Sequence, residues 1–435
     1  MTFAPASERD VILDNTANPV RRRAVFATII GSVIEAFDWL AYGTAAALVF
    51  NKLFFPTFDA TTASLAAFSS FAAGFFARPV GGLIFGHFGD RLGRKTMLML
   101  SLVLMGGSTV LIGLLPTYAD IGLWAAAVLV LLRIVQGISF GGELTGAMLM
   151  AVEHAPARHK SFFGSLPQGG TPIGLLLSTG AFALVTQLPE QEFLSWGWRI
   201  PFLASAVLVA IGIFIRLKVA ESPEFARVRV TGATVRFPAR DVVVQHWRSI
   251  LLTLGGKVGE VTLYFTIVVF SLSFVTSKLG FTRGEALQAI TIGAVCQIFT
   301  IPFFGWLADK VGVRQLYTFG GVLLAVMGVP LFRAIESGNH AAYQIAVIVG
   351  LSVNYAIMFG PQSRLYAAQF PAALRFSGMS IGINIAAALG GGLAPVMATT
   401  LLANFGSLSA VGVYVSCLGA ISAICAYLMK SPADE

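Results

Sequence analysis

The sequence is a succession of twelve apolar runs, more than any soluble core can absorb. They fall near residues 24–50, 63–85, 97–115, 122–150, 162–186 and 201–217 in the first half, and near 250–274, 287–307, 316–332, 341–366, 380–402 and 408–428 in the second. A bilayer-spanning helix needs roughly 20 predominantly apolar residues, and most of these runs supply that length. Hydrophobic residues make up 56% of the chain and charged ones only 11%, where a soluble domain carries about 25% charged residues. Lipid offers the backbone no hydrogen-bond partners, so each span must satisfy its own amides, as a helix does. The expected fold is all-α and integral to the membrane, with twelve transmembrane helices in two pseudo-symmetric six-helix bundles. Its parts are an amino-terminal tail over residues 1–23, a first bundle over 24–218, a polar linker over 219–248, a second bundle over 249–429 and a short tail over 430–435.

The two halves are related. Gly86 to Lys95 reads GHFGDRLGRK and, 219 positions later, Gly305 to Arg314 reads GWLADKVGVR, each directly after an apolar run. Gly86/Gly305, Asp90/Asp309, Arg91/Lys310, Gly93/Gly312 and Lys95/Arg314 recur in register. A polar loop repeated on one membrane face is what an alternating-access carrier built from two related halves would hold.

The distribution of charge orients the chain. The even loops and the termini collect 20 of the 29 Lys and Arg residues, against five (Lys52, Arg199, Lys278, Arg283 and Arg333) on the other side. By the positive-inside rule both termini face the cytoplasm. The net charge of +8 therefore reflects topology, and no basic patch interleaved with aromatics points to nucleic acid. No cleavable signal is expected, because the first twenty residues are polar and Arg21 to Arg23 abut a span too long for a signal core. Cys296, Cys417 and Cys425 lie inside predicted helices, the last two about 12 Å apart by helical rise, too far to bridge. In the linker, Ser222-Pro223-Glu224 reads as the start of a short surface helix.

The tandem loops support a family. The chain resembles the major facilitator superfamily, whose loop after the second helix reads G-x-x-x-D-R-x-G-R-R/K. Further residues are similar to its metabolite:proton symporters: Phe37-Asp38-Trp39 with Tyr42-Gly43, Arg78 to Gly82 (RPVGG), Arg133 to Gly137 (RIVQG) with Gly141-Gly142-Glu143, Trp196 to Pro201 (WGWRIP), and Ser377-Gly378 with Gly390 to Pro395 (GGGLAP). Around 44–56 and 193–203 the sequence looks most like shikimate-type carriers. Two departures shift charge in the positive direction. Ala368-Gln369-Phe370-Pro371 lacks the acid that relatives carry before Phe-Pro, and Arg364 stands where a small residue is expected.

Ionisable side chains inside a bilayer are costly unless paired or wet, so each one marks a candidate pathway. In the first helix Glu35, Asp38 and Tyr42 follow i, i+3, i+7 spacing and share a face. In the seventh, Lys257, Glu260 and Tyr264 repeat that spacing at an offset of 222. The resemblance implies that these two helices face each other across a central cavity, which makes these residues the expected proton and substrate site. The alternative is that Glu35 and Lys257 simply pair and hold the halves together. Asp38 is the expected proton carrier, with Glu35 and Glu260 behind it. On the fourth helix Arg133, Gln136, Phe140 and, less closely, Glu143 project to one side. A cation at Arg133 beside Asp38 either tunes its charge during transport or forms a static bridge. Arg78, about two turns inside the second helix, either clamps a carboxylate through two parallel hydrogen bonds or pairs with a neighbouring acid. Arg364 near a helix end either snorkels or joins the substrate site with Lys257, Tyr42 and Gln136. Trp39, Tyr264 and Tyr355 either stack on the substrate or pack. Asp90, Arg91, Arg94, Asp309 and Lys310 form the expected gate, in which Asp90 pairs with basic neighbours and accepts from a helix terminus.

The five histidines fall at loops or helix ends, which argues against a catalytic constellation and an enzyme. The expected function is proton-driven symport of a small organic-acid anion across the bacterial inner membrane, by a monomer with no cofactor and no metal. The alternatives are a symporter of a zwitterionic osmolyte such as proline or betaine, and a non-transporting sensor of the same fold.

Overall fold

The computed structural model describes residues 29–92, 94–141, 143–153, 155–217, 238–371 and 374–431, and among them every regular element is helical. The spans are α1 (Ile29–Leu53), α2 (Ala60–Leu92), α3 (Arg94–Leu114), α4 (Leu123–Phe140, continued by Glu143–Glu153), α5 (residues 160–185) and α6 (Gly197–Ile215). The second half holds α7 (Trp247–Lys278), α8 (Arg283–Val311), α9 (Val313–Glu336), α10 (His340–Ala367), α11 (Arg375–Phe405) and α12 (Leu408–Leu428). Among the described residues ten spans are long and apolar enough to cross alone. The apolar part of α3 is the shorter stretch Met99–Leu114. The span α5 is assembled from Lys160–Ser165, a 3-10 turn at Pro167–Gly169 and Gly170–Val185.

The basic cluster at Arg21 to Arg23 and the helix start read at Ser222 to Glu224 lie outside the described residues. The described end of the linker is a short helix, Pro238–Gln245.

Burial identifies the central helices. The apolar window of α7 is wholly buried and that of α1 is 94% buried, whereas only 33% of the α4 and α8 windows and 28% of the α6 window are. The side chains of α1 and α7 meet at Gly43, where an added Cβ would lie 3.0 Å from Val269.

Glycines set the approach of α2 to α4. A Cβ on Gly137 would lie 2.0 Å from the Gly74 carbonyl oxygen, one on Gly141 2.1 Å from that of Arg78, and one on Gly81 1.9 Å from that of Ile138. No side chain fits there, so the two backbones touch, as small residues permit between membrane helices. This is the physical content of the RPVGG and RIVQG-x-x-x-G segments. It fixes Arg78 and Arg133 on adjoining helices at a short separation.

The halves meet at both faces. On the face opposite the repeated loops, Glu190 of the first half bonds Lys52 at 2.9 Å and Arg283 of the second half at 3.0 Å, and Thr291 bonds Thr179 at 3.0 Å. On the basic face, Asp309, Gln362, Ser363 and Asn384 of the second half all reach polar groups of the first. Contacts at both mouths make this an occluded arrangement.

Candidate transport site

The first half gathers two arginines around one indole. The Arg133 guanidinium lies 3.5 Å from the Trp39 ring centre and 4.3 Å from that of Tyr42. The Arg78 guanidinium lies 3.8 Å from the Trp39 ring and 3.9 Å from that of Phe140. Gly74 makes this possible, since a Cβ there would come within 2.7 Å of the Arg133 side chain and 3.0 Å of Trp39. Both arginines are buried, at 7% and 0% exposure for Arg78 and Arg133. The ion pairs among the described residues involve Lys52, Lys257, Arg283, His340, Arg364 and Arg375, and neither of these two. The Arg78 Nε, the Arg133 Nε and Nη2, and the Trp39 Nε1 are buried without a hydrogen-bond acceptor. Burying an ion costs several kcal/mol, whereas a desolvated cation–π contact returns about 2 kcal/mol. The aromatic box offsets only part of that cost.

Asp38 does not contact Arg133. Its Oδ1 accepts from the Ser205 hydroxyl of α6 at 2.5 Å, and its Oδ2 has no hydrogen-bond partner. The reason lies in α1, where Asp38 points about 60° away from Glu35 and about 40° away from Tyr42, at the edge of their shared face. Asp38 therefore turns toward α6, while Tyr42 turns to α2 and bonds Ser70 at 2.7 Å. Glu35 stands in electrostatic range of Arg78. The expected single face of α1 is thus divided between neighbours. Arg133 reaches Asp38 only indirectly: it donates to Gln136 at 3.0 Å, Gln136 donates to Thr109 at 2.7 Å, and Thr109 lies beside Asp38.

The second half answers with a compensated pair. Lys257 donates to Glu260, its neighbour one turn along α7, and to Gln362 of α10 at 2.8 Å. The alternative pairing of Lys257 with Glu35 is not formed. Tyr264 packs on Tyr355 with ring centres 4.7 Å apart, and Tyr355 stacks on Phe359 at 4.6 Å. The Glu260 Oε2, the Tyr264 hydroxyl and both amide atoms of Asn354 are buried and unpartnered. Among the described residues no group of acids, histidines and cysteines has the form of a metal site.

Arg364, expected near the substrate, is paired instead with Asp309 of the repeated loop. Its Nη1 donates to Asp309 at 2.9 Å, because Pro361 breaks α10 and the following helix, Gln362–Ala367, runs beside the end of α8. Asp309 also accepts from the backbone N–H groups of Ser161 and Phe162, each at 2.9 Å. These are first-turn amides of Lys160–Ser165, whose own cap residue, His159, supplies no side-chain cap. One half thus caps a helix of the other. Lys310, expected in the gate, lies over its own helix's Trp306 at 3.9 Å. The side chains of Asp90, Arg91, Arg94 and Glu143 lie outside the described residues.

Sequence reasoning missed Ser205, Thr109, Gln168 and Asn354, which are neutral and leave no mark on a hydropathy profile. For Gln362 a signal was present. Phe359-Gly360-Pro361-Gln362 follows Phe140-Gly141-Gly142-Glu143 at the same offset of 219 as the loops.

Two six-helix halves, buried charges at their interface and contacts closing each mouth define a secondary transporter of the alternating-access type, not an enzyme. Residues 24–233 match the family model for sugar (and other) transporters, and residues 258–435 match that of the major facilitator superfamily. The chain is 39% identical to the inner membrane metabolite transport protein YhjE of Escherichia coli (strain K12), over 93% of each chain. It is also 39% identical to the shikimate transporter of the same organism, over 94% of each. The crystal structure of a D-xylose-proton symporter superposes with a TM-score of 0.70 at 19% identity, covering 94% of this chain and 97% of that one. The chain belongs to the major facilitator superfamily, alongside its metabolite transporters.

Proposed function

We propose that this protein takes up a small organic-acid anion together with protons, with shikimate and related hydroxylated carboxylates as the first candidates. The observation that carries the reading is the arginine pair at Trp39, two buried guanidiniums with unused N–H donors that form no ion pair among the described residues, with Glu35 in electrostatic range of Arg78. A carboxylate accepts two parallel hydrogen bonds from such a donor, and the low dielectric strengthens the attraction. Lys257 is the weaker candidate, because Glu260 already neutralises it. A quaternary ammonium would need the aromatic faces that the guanidiniums occupy, which disfavours a betaine-like substrate. Asp38 and Glu260 each keep one buried oxygen without a partner, a place for a proton. On this reading the basic face is cytoplasmic, in a bacterial inner membrane. A thermal-shift screen of small carboxylates identifies the ligand, and accumulation in proteoliposomes tests the coupling. Accumulation should collapse when the pH gradient and the membrane potential are dissipated. Undiminished accumulation without either refutes proton coupling.

A further inference from the structure

A chain of buried polar groups runs from the gate to the charged pair on α7 and crosses from one half to the other. It starts at Gln168, wholly buried in the 3-10 turn of α5. The Gln168 Nε2 donates to Ser363 of α10 at 3.0 Å, and its Oε1 accepts from the Gln362 Nε2. Because the Gln362 nitrogen faces Gln168, its oxygen faces Lys257 and accepts from the ammonium at 2.8 Å. Lys257 in turn donates to Glu260, whose second oxygen has no partner. Every member is buried, so no water screens the chain.

The orientation of Gln362 is the informative point. An amide reversed end for end would set an NH2 group against an ammonium. What holds it in the productive sense is an acceptor from the other half of the molecule. Residues 160–169 are also the segment that the second half grips. Asp309 caps its first turn, Ser363 donates to the Gly164 carbonyl at 3.0 Å, and a Cβ on Gly305 would lie 2.7 Å from Ser165. When the basic face opens, Gln168 must leave with its half.

We propose that Gln168 is a positioning residue that links the gate to the charge of the α7 pair: the closed gate orients Gln362 toward Lys257, and a proton on Glu260 loosens the gate through the same chain. The physical reason is that a proton on Glu260 removes the only counter-charge that the Lys257 ammonium has among the described residues, leaving it with neutral acceptors alone in a buried site. Admitting water becomes the favourable alternative. Among the described residues the ionisable groups that face the pair are Tyr264 on its own helix, Tyr317 of α9, and Tyr355 and Tyr366 of α10, with Cys425 of α12 beyond them against Gly255. From α11, residues 376–405 contain no ionisable side chain.

This inference rests on proton coupling in the proposed function, and its test needs neither a substrate nor a gradient. Amide hydrogen–deuterium exchange over residues 160–169 is measured on the full-length purified protein. Glu260→Gln, which mimics the protonated acid at the far end of the chain, should accelerate exchange in that segment about fivefold, the worth of one buried hydrogen bond. Gln168→Leu and Gln362→Leu, which cut the chain at two points, should do the same. The double variant Glu260→Gln/Gln168→Leu should exchange no faster than either single one, and Gln168→Glu, which keeps an acceptor for Gln362, should restore slow exchange. Unchanged exchange in Glu260→Gln, or additive acceleration in the double variant, overturns the linkage. Failure of gradient-driven accumulation in the wild type instead refutes proton coupling itself.

Discussion

Asp309→Asn isolates the gate, because Asp309 makes three contacts that the asparagine cannot all keep. Its Oδ1 accepts from the Ser161 N–H and from Arg364, and its Oδ2 accepts from the Phe162 N–H, all at 2.9 Å. An asparagine retains one acceptor oxygen and turns an NH2 group toward one of the two backbone N–H groups, whichever way it rotates. At least one charge-assisted hydrogen bond across the halves is lost, about 1.5–3 kcal/mol where the site is buried. The Asp309 side chain is only 3% exposed, so that figure stands, whereas the Arg364 side chain at 21% exposure is partly rehydrated on release. The population open on the basic face should therefore rise about tenfold to about a hundredfold.

Ser161 offers the probe. Its hydroxyl is buried and unpartnered, so Ser161→Cys, with the three native cysteines replaced, removes no bond and reports opening by its rate of maleimide labelling. Arg364→Leu should raise that rate less than Asp309→Asn, since it leaves the helix cap in place. A labelling rate unaffected by Asp309→Asn, or a larger effect from Arg364→Leu, would refute the capping argument.

Arg133→Gln and Arg78→Gln should each weaken binding of the best carboxylate by about 1.5–3 kcal/mol, or about tenfold to a hundredfold, in calorimetric titration; unchanged affinity in both moves the anion site elsewhere. Asp38→Asn should abolish accumulation in proteoliposomes while leaving substrate exchange, and wild-type accumulation would remove Asp38 from the coupling. Hydrogen bonds from Lys52 and then Arg283 hold the Glu190 carboxyl below its ordinary range. A depressed acid contributes its contact above that lowered pKa and loses it as the pH falls through it, so acidification on that side should open the face opposite the repeated loops. With Glu190 at 61% side-chain exposure the effect should stay below about 1 kcal/mol and vanish in high salt. Labelling from that side as the pH is lowered measures it.

The spans were legible because lipid leaves the backbone no alternative to helix; that α1 faces α7 was implied by the family resemblance, and the repeat of Glu35-Asp38-Tyr42 by Lys257-Glu260-Tyr264 at one offset agreed with it. Directions within that frame were not. Spacing placed Asp38 on the face of Glu35 and Tyr42, yet it stands at the edge of that face, about 60° from the one and about 40° from the other, and meets Ser205, a residue with no charge to announce itself. Arg364 looked like a stray cation because its partner lies on another helix 55 positions away. The RPVGG and RIVQG segments were visible as resemblance, but their reason, backbones in contact at Gly74, Gly137 and Gly141, appears only in three dimensions.

Repetition of sequence has not produced repetition of chemistry. At matched positions of α1 and α7, Asp38 meets a hydroxyl from α6 while Glu260 meets a lysine of its own helix. At the site the first half carries Arg78 and Arg133, which form no ion pair among the described residues, and the second carries a cation already neutralised and tied by Gln362 to the gate. On the proposed reading the anion therefore acts on the first half and the proton on both. An anion entering at Arg78 and Arg133 changes the electrostatics of the half that carries the gripped segment 160–169, and a proton on Glu260 changes those of the half that grips it. A carrier couples two ligands only if each binds one conformation better than the other. Placing the two ligands' charges on opposite sides of the same moving interface provides that differential, since neither half can shift without altering the surroundings of the other's ion.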